Sequence, residues 1–235
     1  MNQILITGSA GKLGNGLANI MDNIVLGTRE NFDFTNLEMM HSFLNQHPTI
    51  KTIIHCGALV SPPKVNEQVD LAIKTNIIGT ALLSSICFQK GIKLVYISTD
   101  YVFSGNKGNY IETDELLPQN KYAWSKLGGE ASVQMLDNFV IIRMSFGPDI
   151  FPYKAAFIDQ YTSRERLSTI VEKIKNIAIS EFKGIIHIGE DRKTVYDYAI
   201  SLGANEVEQI SIKDMNVKMP VDTSLNTSLY KSIFN

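Results

Sequence analysis

The chain has 235 residues, of which 44% are hydrophobic and 20% charged, with a formal net charge of −2. That length is enough for one α/β domain with a sizeable core and a small additional lobe. The near-neutral balance gives no electrostatic footprint for nucleic acid or an anionic membrane, and the four histidines are scattered without metal-ligand spacing. Cys56 and Cys87 lie in apolar segments outside any C-x-x-C pair. They read as buried free thiols of a reducing compartment. No signal peptide is evident at the start and no apolar run approaches the length of a membrane span, so the cytoplasm is the expected location.

Along the chain, Gln3–Thr7, Ile24–Gly27, Lys51–Cys56, Lys93–Ser98 and Phe139–Arg143 are expected strands. Each is short, rich in Ile, Val or Leu, and followed by turn residues or a helical pattern. Such runs suit a parallel sheet covered on both faces. Lys12–Met21, Leu37–Gln46, Val65–Gln89 and Lys121–Leu136 are the expected helices between them. The alternation implies an α/β, doubly wound parallel sheet of Rossmann type with right-handed crossovers. After Arg143 the pattern loosens. Phe151-Pro152-Tyr153 reads as a loop, Leu167–Ser180 as a helix, Gly184–Ile188 as a strand and Thr194–Leu202 as a helix, and the tail from Met215 onward is polar and irregular. The expected organisation is a dinucleotide-binding core over 1–147 and a substrate lobe over 148–235, with interleaved elements.

Thr7-Gly8-Ser9-Ala10-Gly11-Lys12-Leu13-Gly14 follows the first strand and opens the first helix. Gly8 permits the tight turn, Gly11 lets a pyrophosphate approach the backbone, and Gly14 lets the helix pack on the strand. The first-turn N–H groups then face phosphate. The second strand should end beside the adenosine ribose, where a carboxylate selects NAD and an arginine accepts the 2′-phosphate of NADP. Thr28 and Arg29 stand there, which favours NADP and leaves NAD open. Asp33 and Phe34 can reach the adenine edge. Cys56, Gly57 and Ala58 end the third strand and leave room for a cofactor, while His55 before them reads as a hydrogen-bonded structural residue.

Ser98-Thr99-Asp100 ends the fourth strand, where ligands of open α/β sheets sit. A hydroxyl there can hydrogen-bond a carbonyl and steady developing alkoxide charge; a turn or cap is the bland alternative. Tyr122 and Lys126 lie four residues apart, on one helix face. A lysine cation beside a phenol lowers its pKa, and a shift of about 2–3 units corresponds to about 3–4 kcal/mol, enough to make the phenol a useful proton donor. Gly128 and Gly129 follow in the same expected helix at about 1 kcal/mol each relative to alanine, a sign of close packing. Asn76, in an apolar helical stretch, can kink that helix or hold a water near Lys126, or simply be a satisfied structural residue.

These motifs, in this order and spacing, resemble the extended short-chain dehydrogenase/reductase family. Within it, Ile97–Gly105 and Leu117–Glu130 look like the dTDP-4-dehydrorhamnose reductase branch. The resemblance is close over 1–147 and looser beyond, with echoes at Gly184–Gly189 and Pro220–Leu229. It implies that Thr99, Tyr122 and Lys126 are catalytic. Tyr122 would protonate the sugar C4 oxygen, Lys126 would bind the nicotinamide ribose and tune Tyr122, and Thr99 would hold the keto oxygen. Asp100, Val102, Phe103 and Arg164 would lie on the substrate side, and Asn76 with the glycine-loop residues on the cofactor side. Arg164 and Arg166 can grip a diphosphate or merely start a solvated helix. The implied substrate is a nucleotide-linked 4-keto-6-deoxy sugar, with no nucleic acid or membrane partner and homodimerisation left open. Sister 4,6-dehydratases carry Thr-Asp-Glu where this chain has Thr99-Asp100-Tyr101, which argues for reduction over elimination. The chain departs from the branch in a shorter substrate lobe and in Lys218-Met219-Pro220, where an arginine-proline pair is expected. Two other readings stand beside the first: a non-catalytic NADP-binding regulatory subunit, and a reductase of a smaller carbonyl.

Overall fold

The strands Gln3–Thr7 (β1), Ile24–Gly27 (β2), Ile50–His55 (β3), Lys93–Ile97 (β4) and Phe139–Arg143 (β5) are apolar on both faces, and they pair side by side in a computed structural model that describes residues 2–215 and 219–234. Together with Gly184–His187 they form a six-stranded parallel sheet in the order Gly184–His187, β5, β4, β3, β1, β2. The register sets Thr7 opposite both Gly27 and His55, and Tyr96 opposite both His55 and Ile141. The carboxyl ends of the strands therefore lie level, and the order turns between β1 and β3, where open sheets bind ligands. The comparison at Lys218-Met219-Pro220 falls partly outside the described residues.

The first of two units comprises Met1–Ser98, Asn120–Ile142 and Val171–Ile185. Helices Lys12–Ala18 (α1), Leu37–Gln46 (α2), Pro62–Glu67 (α3), Val69–Ala72 (α4), Thr80–Lys90 (α5) and Lys121–Val133 (α6) belong to it. Its core gathers Leu5, Ile53, Leu94 and Ile141 from four strands with Met40 and Leu44 of α2, Leu83 and Ile86 of α5 and Val133 of α6. Each such side chain contributes about 1.5–3 kcal/mol on burial. Side chains cap two of these helices: Asn36 accepts from the Met39 N–H at 3.0 Å and Asn120 from the Ala123 N–H at 2.8 Å. Gly91, at φ +64°, ends α5 in the left-handed conformation.

The expected single helix Val65–Gln89 is instead a broken one. It starts earlier, at Pro62, because proline suits the first helical positions. Gln68 then leaves helical geometry at φ −123°, ψ 57°. Between α4 and α5, Ile73–Gly79 is wound as a π-helix. The Thr80 hydroxyl donates to the Asn76 carbonyl at 2.8 Å, competing with the regular backbone ladder. Val69–Lys90 spans 22 residues with a window of mean hydropathy 1.5, so an apolar helix of membrane-span length does exist, contrary to the sequence expectation. Part of that apolarity serves the core, while Val69, Leu71, Ile73, Ile78 and Phe88 stay exposed. Leu83, Ile86 and Cys87 are buried, and the polar Asn76, Thr80 and Ser84 are buried with hydrogen bonds made.

The second unit comprises Thr99–Gln119, Arg143–Ile170 and Ile186–Asn235. It holds three two-stranded pairs: Phe146–Gly147 with Glu165–Arg166, Ala155–Phe157 with Glu208–Ile210, and Tyr161–Thr162 with Lys193–Thr194. Segments of two or three residues are too short for an alternating pattern to reveal. Helix Leu167–Ile179 (α7) runs from this unit into the first. Val195–Ser201 (α8) starts at a capping box in which Thr194 and Asp197 bond each other's backbone. Ser228–Phe234 (α9) is helical where the tail reads as irregular, since it is short and buries only Tyr230. A small core of Phe151, Ala156, Val195, Tyr198 and Ala199 supports this unit.

Gly128 and Gly129 explain their place in α6. A Cβ on Gly129 would collide with the Tyr96 hydroxyl of β4 and lie 2.9 Å from the Asn76 carbonyl, whereas one on Gly128 would meet only the Ile77 side chain, at 3.0 Å. The Gly129 neighbours are held by hydrogen bonds and cannot give way. Gly129→Ala should destabilise the fold by about 1–3 kcal/mol and Gly128→Ala by clearly less, despite the equal gain in helix propensity. Urea unfolding of both variants checks this; equal midpoints would refute the packing account.

Candidate active site

The loop after β1 is shaped by two glycines. Gly8 sits at φ +65°, and a Cβ there would lie 2.6 Å from the Gly57 nitrogen after β3. A Cβ on Gly14 would press on the Gly8 carbonyl oxygen at 2.5 Å, so α1 packs directly against the turn. Gly11 is different: its Cβ would meet only the Gly8 oxygen, at 3.2 Å, leaving its outer side open. Gly11 caps α1 without a side-chain hydrogen bond. Ser9 is buried and donates to the Gly27 carbonyl of β2 at 3.1 Å, so its hydroxyl fastens the loop. Leu13 is buried and Lys12 exposed.

Beside this loop opens a cavity of about 340 Å³. Of the expected cofactor residues, Gly8, Thr28, Arg29, Asp33, Phe34 and Ala58 line it. The sequence reading missed Ala10, Phe32, Thr35, Leu71, Lys74 and Thr75. The last three share one helical face just before Asn76, a spacing that could have flagged them. The Thr28 N–H donates to Asn31 Oδ1 at 2.7 Å, while Arg29 is exposed. Asp33 accepts from the Thr35 N–H and hydroxyl at 2.9 and 2.7 Å, bracing its own turn. Phe34 lies over Gly57 and Gly79 and meets the His55 ring edge-on at 4.6 Å.

Behind the cavity the polar side chains are buried and paired. His55 Nδ1 lies 2.7 Å from the Thr7 hydroxyl and Nε2 lies 3.3 Å from that of Thr80. Since Thr80 donates to the Asn76 carbonyl, Nε2 carries the imidazole proton and Nδ1 accepts from Thr7. Burial, with the Lys126 charge adding to it, pushes His55 down to about 3. Burial pushes the Cys56 thiol up to about 12, against the Lys126 charge. Asn76 exchanges hydrogen bonds with the Leu59 backbone at 2.8 and 3.0 Å and donates to the Ser125 hydroxyl at 2.8 Å. It thereby ties the π-wound segment to the strand-end loop and to α6.

Tyr122 is half-buried on the first turn of α6, one turn before Lys126. Lys126 is buried with its Nζ 4.1 Å from the Tyr96 ring centroid, and the Tyr96 hydroxyl donates to the Lys126 carbonyl at 3.1 Å. Burial pulls the Lys126 ammonium down to about 7, against the opposing influence of Glu130 and then Cys56. Glu130 accepts a hydrogen bond from the Ser98 hydroxyl at the end of β4.

In the second unit, Thr99 donates to Asp100 Oδ1 at 3.1 Å and accepts from the Tyr101 N–H at 3.2 Å. Asp100 also accepts from the Thr223 hydroxyl at 2.7 Å. Burial pushes Asp100 up to about 6, opposed by the Thr223 hydrogen bond, the Arg164 charge and Thr99. Val102 and Phe103 are packed inside this unit. The Phe103 ring stacks on Tyr110 at 4.3 Å and lies 5.3 Å from the Arg143 guanidinium. Arg164 reaches Ser145 at 3.5 Å, and Arg166 donates to the Ser201 carbonyl at 3.1 Å.

A parallel sheet that turns at β1/β3, a glycine loop under a cavity and a Tyr–Lys turn on α6 define an extended short-chain dehydrogenase/reductase. The family model described as RmlD substrate binding domain matches residues 1–176, and the chain belongs to that family. It is 28% identical to a dTDP-4-dehydrorhamnose reductase of Aggregatibacter actinomycetemcomitans over 99% of this chain and 87% of that protein. It is also 28% identical to methionine adenosyltransferase 2 subunit beta of Xenopus laevis, over 84% of this chain and 70% of that one. Among solved structures, a dTDP-4-dehydrorhamnose reductase of Bacillus anthracis in complex with NADP shares the fold at a TM-score of 0.88 and 24% identity, covering 99% of this chain and 92% of that chain.

The buried lysine has a measurable signature. Its folded pKa of about 7 lies below the ordinary 10.5, so the unfolded chain holds the extra proton between those values. Stability attributable to Lys126 is therefore lowest near pH 7 and rises toward pH 10. In cofactor-free protein, the unfolding free energy of wild type minus that of Lys126→Met should climb by a few kcal/mol, about the size of such a shift, across that window. Urea titrations at several pH values test this; a flat difference would mean Lys126 is solvated.

Proposed function

We propose that the chain is an NADPH-dependent reductase of a nucleotide-linked 4-keto-6-deoxy sugar. The observation that carries the reading is α6, on which Tyr122 precedes the buried Lys126 by one turn and the helix is pinned by Gly129 and Asn76. A protein that only binds a nucleotide has no need of a phenol beside a buried cation. The cavity suits the adenosine end of a dinucleotide: it is lined by the Gly8 turn and by Thr28 and Arg29 at the end of β2, the strand end at which such sheets read the ribose 2′ position.

The bound reduced nicotinamide would supply the hydride. Tyr122 gives its phenolic proton to the C4 oxygen, so the ketone becomes an alcohol with one hydride and one proton added. Lys126 steadies the phenolate left behind and holds the nicotinamide ribose. The Thr99 hydroxyl, which donates to Asp100 in the free protein, turns to the keto oxygen. Asp100 and Arg164 serve the substrate side, with Arg164 and Arg166 available to its diphosphate. On this reading the chain works in the cytoplasm. Resemblance to the adenosyltransferase subunit favours one other reading, a regulatory subunit that binds the nucleotide without turnover.

Two variants separate these readings. With dTDP-4-keto-6-deoxy sugar generated in situ by a dehydratase, Tyr122→Phe should lower turnover by about a hundredfold or more. Its NADPH affinity by calorimetry should stay close to wild type. Persistent activity in the variant would mean another proton donor, and a silent wild type that still binds NADPH would favour the regulatory subunit. Arg29→Ala should weaken NADPH binding by about tenfold or more while leaving NADH unchanged; equal losses for both would remove Arg29 from cofactor selection.

A further inference from the structure

We propose that Glu130 is the buried counter-charge that keeps Lys126 an ammonium, and so a positioning residue for the Tyr122–Lys126 pair. This rests on the reductase reading of that pair. Glu130 lies one turn beyond Lys126 on α6, where residues four apart share a face. It is wholly buried, and Lys126 is 3% exposed. Its carboxyl group is fastened by the Ser98 hydroxyl at the end of β4, immediately before Thr99 in the chain. The helix cannot roll to carry Glu130 away, because Gly129 is wedged against Tyr96 and the Asn76 carbonyl.

Among the described residues, Cys56, Tyr96 and His55 around Lys126 offer it little negative charge near neutrality. Burial holds the Cys56 thiol and the Tyr96 phenol in their protonated forms and the His55 imidazole in its neutral one. Tyr122, on the same helix, must be a phenol to donate a proton. Glu130 brings the carboxyl group of this set, and its charge is the largest influence opposing the burial of Lys126. A buried ammonium without a partner gives up its proton instead of staying charged. Taking away the buried negative charge should make both Lys126 and Tyr122 release protons at lower pH, so the direction of the effect does not depend on which of the two titrates first.

Glu130→Gln is the test, since glutamine keeps the shape and an acceptor for Ser98. The pH profile of kcat is measured with NADPH and dTDP-4-keto-6-deoxy sugar, for wild type, Glu130→Gln and Glu130→Asp. The alkaline limb should move down by about one pH unit or more in Glu130→Gln, with turnover near wild type on the acid side. Glu130→Asp, which restores the charge, should bring the limb back. A limb that stays in place, or a loss uniform across pH, would overturn the proposal and leave Glu130 as packing. A second measurement does not depend on turnover: a urea-unfolding cycle of Lys126→Met, Glu130→Gln and the double variant, without cofactor. Coupling of about tenfold or more in the unfolding constant at pH 7 is expected, and coupling below about threefold would overturn the proposal. If Glu130→Gln alone fails to fold, rescue by adding Lys126→Met supports the proposal, and failure of that rescue overturns it. A wild type without turnover on the sugar would sink the reductase reading, and the unfolding cycle would still decide the role of Glu130.

Discussion

The first unit depends on how closely α6 can lie against β4 and the π-wound segment. The approach is possible because Gly129 presents no side chain to the Tyr96 hydroxyl and the Asn76 carbonyl. Close approach is what buries Lys126 and lets Asn76 reach Ser125. It also brings Glu130 to Ser98. One position without a methyl group thus fixes the depth of a cation, the aim of a phenol and the end of a strand. Helix propensity is sacrificed for this, in keeping with local violations that gather at working sites.

Around that contact the polar side chains are arranged so that few of them can titrate. His55 has both ring nitrogens engaged, and Asn76 uses its oxygen and its amide. Each hydroxyl has a fixed direction: Thr80 toward Asn76, Ser125 toward the Tyr122 carbonyl, Ser98 toward Glu130. Such a network stiffens the packing between α6, the π-wound segment and the strand ends. In the second unit Asp100 is held by two threonine hydroxyls, one near in sequence and one from the far C-terminal stretch.

The sequence was legible wherever one residue type answers one local demand. The β-strands follow from their apolar runs, and the Gly8 and Gly14 packing follows from the motif. Close packing at Gly128 and Gly129 could be read from two glycines in a helix. What stayed hidden depends on partners distant in the chain. Nothing local announces that Asn76, in the widened turn, will bond the Leu59 backbone and the Ser125 hydroxyl. The paired strands of the second unit are too short for a period, and α9 buries too little to show a stripe. Val102 and Phe103 read as substrate-side residues because of their motif; both are buried, and the Phe103 ring meets Tyr110, Arg143 and His187.

The widened turn at Ile73–Gly79 also acts as a phase setter. An α-helix advances about 100° per residue, so one residue more or fewer rotates everything on one side of it by that angle. Leu71, Lys74 and Thr75, which border the cavity, lie before or within this turn, and the core-facing Leu83 and Ile86 lie after it. The two sets can be aimed independently only because the winding between them is not regular. A chain shortened by one residue here would still make a helix, and a straighter one. Its core face would keep its bearing while its cavity face swung away, so the irregular turn is the joint at which core and ligand wall are clocked against each other.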